Sequence, residues 1–160
     1  KDPGMKLAPA GIPLIKLIDD YCGGMLQGHK LKAFFPGGAS GGILPASLAH
    51  LPLDFGVFEE YGGFIGSHAI VVLSEKDSIK EAALNTMRFF KHESCGQCTP
   101  CRSGTDKMIR LLENDISEIN LYNDLIKVMG DSSICGLGQA AANCVSHLIK
   151  YFPKEFLNEP

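Results

Sequence analysis

Three cysteines fall within seven residues, at Cys95, Cys98 and Cys101 in the stretch Glu93-Ser-Cys-Gly-Gln-Cys-Thr-Pro-Cys-Arg-Ser-Gly104. Thiolates packed so closely make a metal site that lacks one ligand. Cys135, within Ser133-Ile-Cys-Gly-Leu-Gly138, supplies it most simply, because iron–sulfur clusters commonly take a short run of cysteines and one more from far along the chain. The spacing therefore predicts a [4Fe–4S] cluster held by Cys95, Cys98, Cys101 and Cys135. Two residues between successive ligands let a tight turn aim each sulfur inward, and Gly96 supplies turn freedom that a Cβ would remove. Thr99 is expected to cap a helix opened by Pro100. Cys101 then lies in a first turn, where free N–H groups and the positive dipole end favour an anionic cluster, with Arg102 adding charge.

Other chemistries fit this pattern less well. Structural zinc usually pairs two CxxC knuckles, whereas the second half here is Cys135 with Cys144 nine residues later. A disulfide framework belongs to small secreted chains that cannot build a core. With 160 residues, 45% of them hydrophobic and 21% charged, this chain has material for one ordinary domain or two small ones. Nothing at its start reads as a secretory signal. Cys22 and Cys144 read as ordinary buried thiols outside the site. A net charge of −3 offers no electrostatic reason to expect nucleic acid, and no run of some twenty apolar residues is present to span a membrane.

The first half predicts strands and turns, and the second half predicts helices. Lys1 to Pro13 is rich in Pro and Gly and reads as the middle of a longer polypeptide. Ile12 to Tyr21 has a helical apolar period ended by Gly23-Gly24. Strands are expected at Leu31–Phe35 and Ile43–Ser47, a short helical piece at Phe55 to Tyr61, and the clearest strand at Ala69 to Leu73, whose continuous β-branched run predicts a central buried position. The loop from Pro36 to Gly42 lacks the Gly-Lys-Ser/Thr ending of a phosphate loop and reads as a turn or a backbone surface facing a neighbouring unit. His50 and His68 have no ligand role to fill. A few strands and one helix suit a small β-grasp, ubiquitin-like fold, giving an α+β class.

From Ser74 the period changes. Ser78-x-x-Glu81 is a capping-box pattern, and Ile79, Ala82, Ala83, Met87 and Phe90 share a helical face. A second helix carries Met108, Leu111 and Leu112. A third carries Leu121, Leu125, Val128 and Met129, with Gly130 expected as its C-cap. The fourth carries Val145, Leu148, Ile149 and Phe152. Short connections predict a four-helix bundle, with the cluster at one end. The expected boundaries are 1–75 for the β-grasp unit and 76–160 for the helical unit. Such a site exchanges single electrons and needs no acid, base or nucleophile. Backbone N–H groups near Gly96, Gly136 and Gly138 are candidates to tune it.

Glu-Ser-Cys-Gly-x-Cys-x-Pro-Cys-Arg-x-Gly followed by Ser-Ile-Cys-Gly-Leu-Gly resembles the C-terminal part of the NADH-oxidising flavoprotein subunits of respiratory complex I, NAD-reducing hydrogenases and NAD-dependent formate dehydrogenases. The resemblance covers essentially the whole chain, since the residues before the cysteines are similar to the SLBB domain of that family. It implies an electron-transfer module between FMN, reduced by NAD(H) in a preceding domain, and downstream Fe–S clusters. It implies as partners a thioredoxin-like 2Fe–2S subunit and a larger Fe–S subunit, and a cytoplasmic location or a peripheral one on the cytoplasmic or matrix side of a membrane complex. The flavin- and NAD-binding segment is not among these residues, so the chain alone is expected to carry electrons rather than oxidise NADH, with Gly136-Leu137-Gly138 facing the flavin. Gly-Leu-Gly-Gln at 136 to 139 and the Tyr151-Phe-Pro-Lys-Glu ending look more like the soluble hydrogenase or formate dehydrogenase form. The reading from a different class is a non-redox interaction scaffold stabilised by zinc. Small-ligand binding by the first half finds no aromatic cage or charged pocket in the sequence.

Overall fold

A computed structural model describes residues 1–159. Its architecture is a small antiparallel sheet followed by a set of packed helices. After an extended start, Pro13 leads into a helical turn α1 (Leu14–Lys16) that widens into a π-type turn over Leu17–Tyr21. Strand β1 (Leu31–Phe35) is central, with β2 (Leu44–Pro45) and β3 (Val71–Ser74) antiparallel on either side. Phe34 lies opposite Leu44 on one neighbour and Val72 on the other. The helices are α2 (Ile79–Glu93), α3 (Thr99–Glu113), α4 (Ile119–Ser132), the short α5 (Gly136–Ala140), α6 (Asn143–Tyr151) and α7 (Pro153–Phe156). Among the described residues, no helix is long and apolar enough to cross a membrane.

Side chains alternate across a strand, and β1 uses both of its faces. Ala33 and Phe35 join Ile43 in the core that α2, α3, α4 and α6 build, from Ile79, Met87, Phe90, Met108, Leu111, Tyr122, Met129 and Leu148. Phe34 turns the other way with Leu44, into a second core made with Leu14, Ile18, Leu53 and Phe58. Each fully buried aliphatic or aromatic side chain contributes about 1.5–3 kcal/mol relative to exposure, so one strand serves as a wall to both cores.

Several expectations shift. The apolar run at 69–73 forms an edge strand: Val71 and Val72 are 48% and 36% exposed, and they face a cavity of about 1050 Å³ bounded also by residues 1–26. β1, shorter in apolar run, takes the centre because it alone has partners for both edges. The strand expected at Ile43–Ser47 shrinks to two residues, since Ala46–Leu48 closes into a 3-10 turn. Gly130 lies inside α4, which runs to Ser132 with Ser133 as its cap. Helix α3 starts at Thr99 with Cys98 in the cap position, one residue earlier than expected. The α2 capping box is half formed. Ser78 accepts the Glu81 N–H at 3.2 Å, and the Ile79 N–H goes to Glu155 of α7 at 2.8 Å.

The glycine loop at 36–42 lies against α6. Asn143 donates to the Ser40 carbonyl at 2.8 Å and Cys144 Sγ to that of Ala39 at 3.3 Å. Gly42, at φ +81°, passes so close to His147 that a Cβ there would stand 2.3 Å from its Nδ1. His147 is buried, its Nδ1 unpartnered, its ring edge-on to Tyr151; Tyr151 in turn donates to the Tyr61 carbonyl at 2.7 Å.

Burial pushes the His147 pKa from 6.5 down to about 4, against an opposing backbone contact at Gly62. Between those values the unfolded chain binds the proton and the folded one does not, so stability is full above pH 6.5 and declines as the pH falls toward 4. The full loss amounts to about 3 kcal/mol at about 1.4 kcal/mol per pKa unit. Urea unfolding from pH 7 to 4.5 should show this slope, and His147→Gln should flatten it; an unchanged slope in the variant would place the titration elsewhere.

Candidate metal centre

Two loops meet at one end of the helices. The first runs from the end of α2 at Glu93 to the start of α3 at Thr99, and the second from the end of α4 at Ser132 to the start of α5 at Gly136. The cysteines of the first loop are Cys95, exposed, Cys98, half-buried, and Cys101, buried in the first turn of α3; Cys135 of the second is exposed. All six cysteines of the chain are free thiols in this structure.

Gly104 decides how the loops approach. Its hypothetical Cβ would lie 2.6 Å from Met129 Cγ, so the Met129 side chain fills the place of a side chain at 104 where α3 packs on α4. That contact helps set the end of α4, and with it Ser133 and Cys135, beside the first turn of α3. A second close approach follows at Gly138. A Cβ there would stand 2.5 Å from Ser133 Oγ and 2.9 Å from Cys101 Cβ. Two motif glycines thus provide space rather than backbone freedom, because neither has the positive φ that Gly96 has at 74°.

Hydrogen bonds hold the cysteine loop in shape. Arg102 Nη1 donates to the Gly96 carbonyl at 2.6 Å and Nη2 reaches Thr99 Oγ1 at 3.4 Å, so Arg102 braces the loop as well as bringing charge. Ser94 Oγ accepts the Gly96 N–H at 3.2 Å and lies 3.2 Å from Cys101 Sγ. The Cys98 side chain makes no capping bond to α3. Its pKa nevertheless lies below the ordinary thiol value, because the backbone N–H groups of Ile134 and then Cys101 face the sulfur, against a burial cost. Donors contributed by both loops therefore favour a thiolate at Cys98. Cys144 is the opposite case: burial pushes its thiol up to about 12, and it sits against the glycine loop, away from the site.

These surroundings suit an anionic sulfur-bound group. The donor set is four thiols on two touching loops, and the buried Ser133 hydroxyl has no protein partner, an arrangement that costs about 1–3 kcal/mol when nothing satisfies it. Among the described residues no three His, Cys, Asp or Glu side chains already converge on one point. Cys101 adjoins the Ser133–Gly138 loop, while Cys95 and Cys135 are exposed. Rotation about χ1 is enough to redirect a cysteine sulfur. His50 and His68 are exposed in the first half of the chain, apart from these loops.

Residues 81–159 match the NADH-ubiquinone oxidoreductase-F iron-sulfur binding region. This region of the chain belongs to that family. Its relatives include the F 2 subunit of NADH-quinone oxidoreductase of Rhizobium meliloti (strain 1021), 33% identical over 98% of this chain and 39% of that protein. The corresponding F subunit of Rickettsia typhi (strain ATCC VR-144 / Wilmington) is 40% identical over 91% of this chain and 36% of its own length. The crystal structure of an NAD+-reducing [NiFe]-hydrogenase in the H2-reduced state superposes with a TM-score of 0.84 at 27% identity, over 98% of this chain and 27% of that one. The chain thus spans under two fifths of the curated relatives it matches. The oxidoreductase family anticipated from the cysteine motifs is the family found, and its matched region begins near the start of α2.

Ser94, Ser133 and the spacing roles of Gly104 and Gly138 are the site features that motif reading passed over. Gly104 and Gly138 stood in the motifs, but closeness to Met129 or Ser133 leaves no local signal. Gly138→Ala should lower iron loading of the chain several-fold while α2, α3 and α4 remain folded by circular dichroism. Gly136→Ala, where a Cβ meets nothing within 4 Å, should load as the parent does; equal loading of both variants would remove Gly138 from the site's construction.

Proposed function

We propose that this chain is the electron-relay part of an NADH-oxidising subunit, with a [4Fe–4S] cluster held by Cys95, Cys98, Cys101 and Cys135. The observation that carries the reading is the meeting of the two cysteine loops, where Gly138 passes between Ser133 Oγ and Cys101 Cβ. When bound, such a cluster takes up and passes on single electrons at a potential set by hydrogen bonding, charge and solvent exposure. The protein's own contribution is rigidity and polarity. Arg102 braces the first loop, Gly138 holds the second against it, and the packing of α3, α4 and α5 on one another limits rearrangement.

On this reading residues 1–75 form an SLBB-type β-grasp unit and residues 76–160 a four-helix, cluster-bearing unit. Support comes from the three-stranded sheet backed by α1 over its own apolar core, and from α2, α3, α4 and α6 joined by short connections. The packing of Ala33, Phe35 and Ile43 with the helices makes the two units interlocked rather than separate. In the parent subunit the chain would stand between FMN, reduced by NADH, and iron–sulfur centres downstream. Its partners would be a thioredoxin-like 2Fe–2S subunit and a larger iron–sulfur subunit, in a complex lying in the cytoplasm or peripheral on the cytoplasmic or matrix side of a membrane. The curated relatives named above are F subunits of NADH-quinone oxidoreductase, at 33–40% identity, and a parent of that kind is proposed, beside the leaning toward the hydrogenase or formate dehydrogenase form drawn from Gly136–Gln139.

Anaerobic loading with iron and sulfide tests the reading. About four irons and four sulfides per chain, with a broad visible absorbance bleached by dithionite, are expected. Cys135→Ser should lose most of the iron, whereas Cys144→Ser should keep it, and loss of metal should lower thermal stability. Equal loss in both variants would overturn the ligand set. A colourless chain that takes up zinc in place of iron would establish the non-redox scaffold instead.

A further inference from the structure

Ser133 occupies an unusual position for a serine. It is 5% exposed, and its backbone is fully committed: the N–H donates to the Met129 carbonyl at 3.3 Å and the carbonyl accepts from Gln139 Nε2 at 3.0 Å. Its hydroxyl has no hydrogen-bond partner. Buried hydroxyls are nearly always satisfied, so an orphan marks a place where another group belongs. The Ser133 hydroxyl lies beside the first turn of α3. Gly138 leaves a gap that a methyl group would close, with Ser133 Oγ on one side and Cys101 Cβ on the other. Ser94 stands in a similar relation to the other side of the site. Its oxygen already accepts the Gly96 N–H, which leaves its own proton to point at Cys101 Sγ, 3.2 Å away.

We propose that Ser94 and Ser133 are positioning residues whose hydroxyls donate hydrogen bonds to sulfur at this site, Ser94 to that of Cys101 and Ser133 from the gap between Gly138 and Cys101, and thereby raise the reduction potential of the group that the cysteines hold. The inference rests on the cluster reading above. Its physical basis is that reduction adds negative charge, which spreads onto the ligating sulfurs. A donor aimed at such a sulfur stabilises the reduced state more than the oxidised one. One hydroxyl comes from each loop, so the two loops contribute in parallel, and each can be removed alone. Gly138 has a defined part in this: it is the space into which the Ser133 hydroxyl fits.

The test is a redox titration of the full chain, loaded anaerobically with iron and sulfide and followed by electron paramagnetic resonance. Ser133→Ala and Ser94→Ala should each keep full iron and sulfide content yet shift the oxidised-to-reduced ratio at a fixed potential about tenfold toward the oxidised form, equivalent to about 59 mV for a one-electron couple. The double variant should shift further. An exchangeable proton coupled to the reduced cluster, seen by electron-nuclear double resonance in H2O against D2O, should disappear in each variant. Should Ser133→Ala fail to load, Ser94→Ala, which removes the donor of the other loop, is read on the same scale. Full loading with an unshifted potential and an unchanged proton signal would overturn the proposal and leave the cluster reading standing. A parent chain that takes up no iron would overturn the cluster reading itself, and this inference with it.

Discussion

The site depends on a close helix packing at a glycine. At Gly104 the Met129 side chain of α4 occupies the place where a methyl group would stand. Protein interiors are densely packed, so a side chain at 104 would require Met129 to turn away or α3 and α4 to part. Because α4 leads directly into Ser133 and Cys135, the contact sets the separation between the two cysteine loops. The second close approach, of Gly138 to Ser133 and Cys101, completes the arrangement at the loops themselves. The helix contact brings two segments together, and the loop contact fixes how they face each other.

Electrostatics then follow from placement. Cys98 gains donors from Ile134 as well as from the first turn of α3, so its preference for the thiolate form is a property of both loops together. Cys144 shows the converse. It is a similar thiol on a neighbouring helix, enclosed by apolar groups and the Ala39 carbonyl, and burial raises its pKa instead. Charged thiolate is favoured at the meeting of the loops and disfavoured in the core, a division that suits one place for metal binding and another for packing.

The sheet and the helices depend on one another through β1. Phe34 enters the core of the first half while Ala33 and Phe35 enter that of the helices, and Glu155 near the chain's end satisfies the first N–H of α2 and pairs with Lys32 of β1 at 2.8 Å. Movement of the first half would disturb the same helices that carry the loops. His147, buried at this seam against Gly42, makes the junction a further sensitive point, since a proton there is unfavourable.

Much of the arrangement was legible from residues read one window at a time. Helical faces in α2, α3, α4 and α6 follow from the 3.6-residue period, the Ser78 cap from its side chain, the turn at Gly96 from its lack of Cβ, and the candidate thiol set from cysteine spacing. These are properties that neighbouring residues share, so a local pattern records them. The exposure of Val71 and Val72 did not follow from their apolar run, because strand order depends on which partners pair at a distance. Gly130 looked like a cap until α4 continued through it. The spaces at Gly104 and Gly138, and the unpaired hydroxyl of Ser133, involve side chains brought together only when α3, α4 and α5 pack. Sequence alone determined which groups are available to hold a metal and which helices would carry them; the tertiary structure decided which of those groups touch and what lies beside each sulfur, because van der Waals exclusion acts between atoms in space and leaves no periodic trace along the chain.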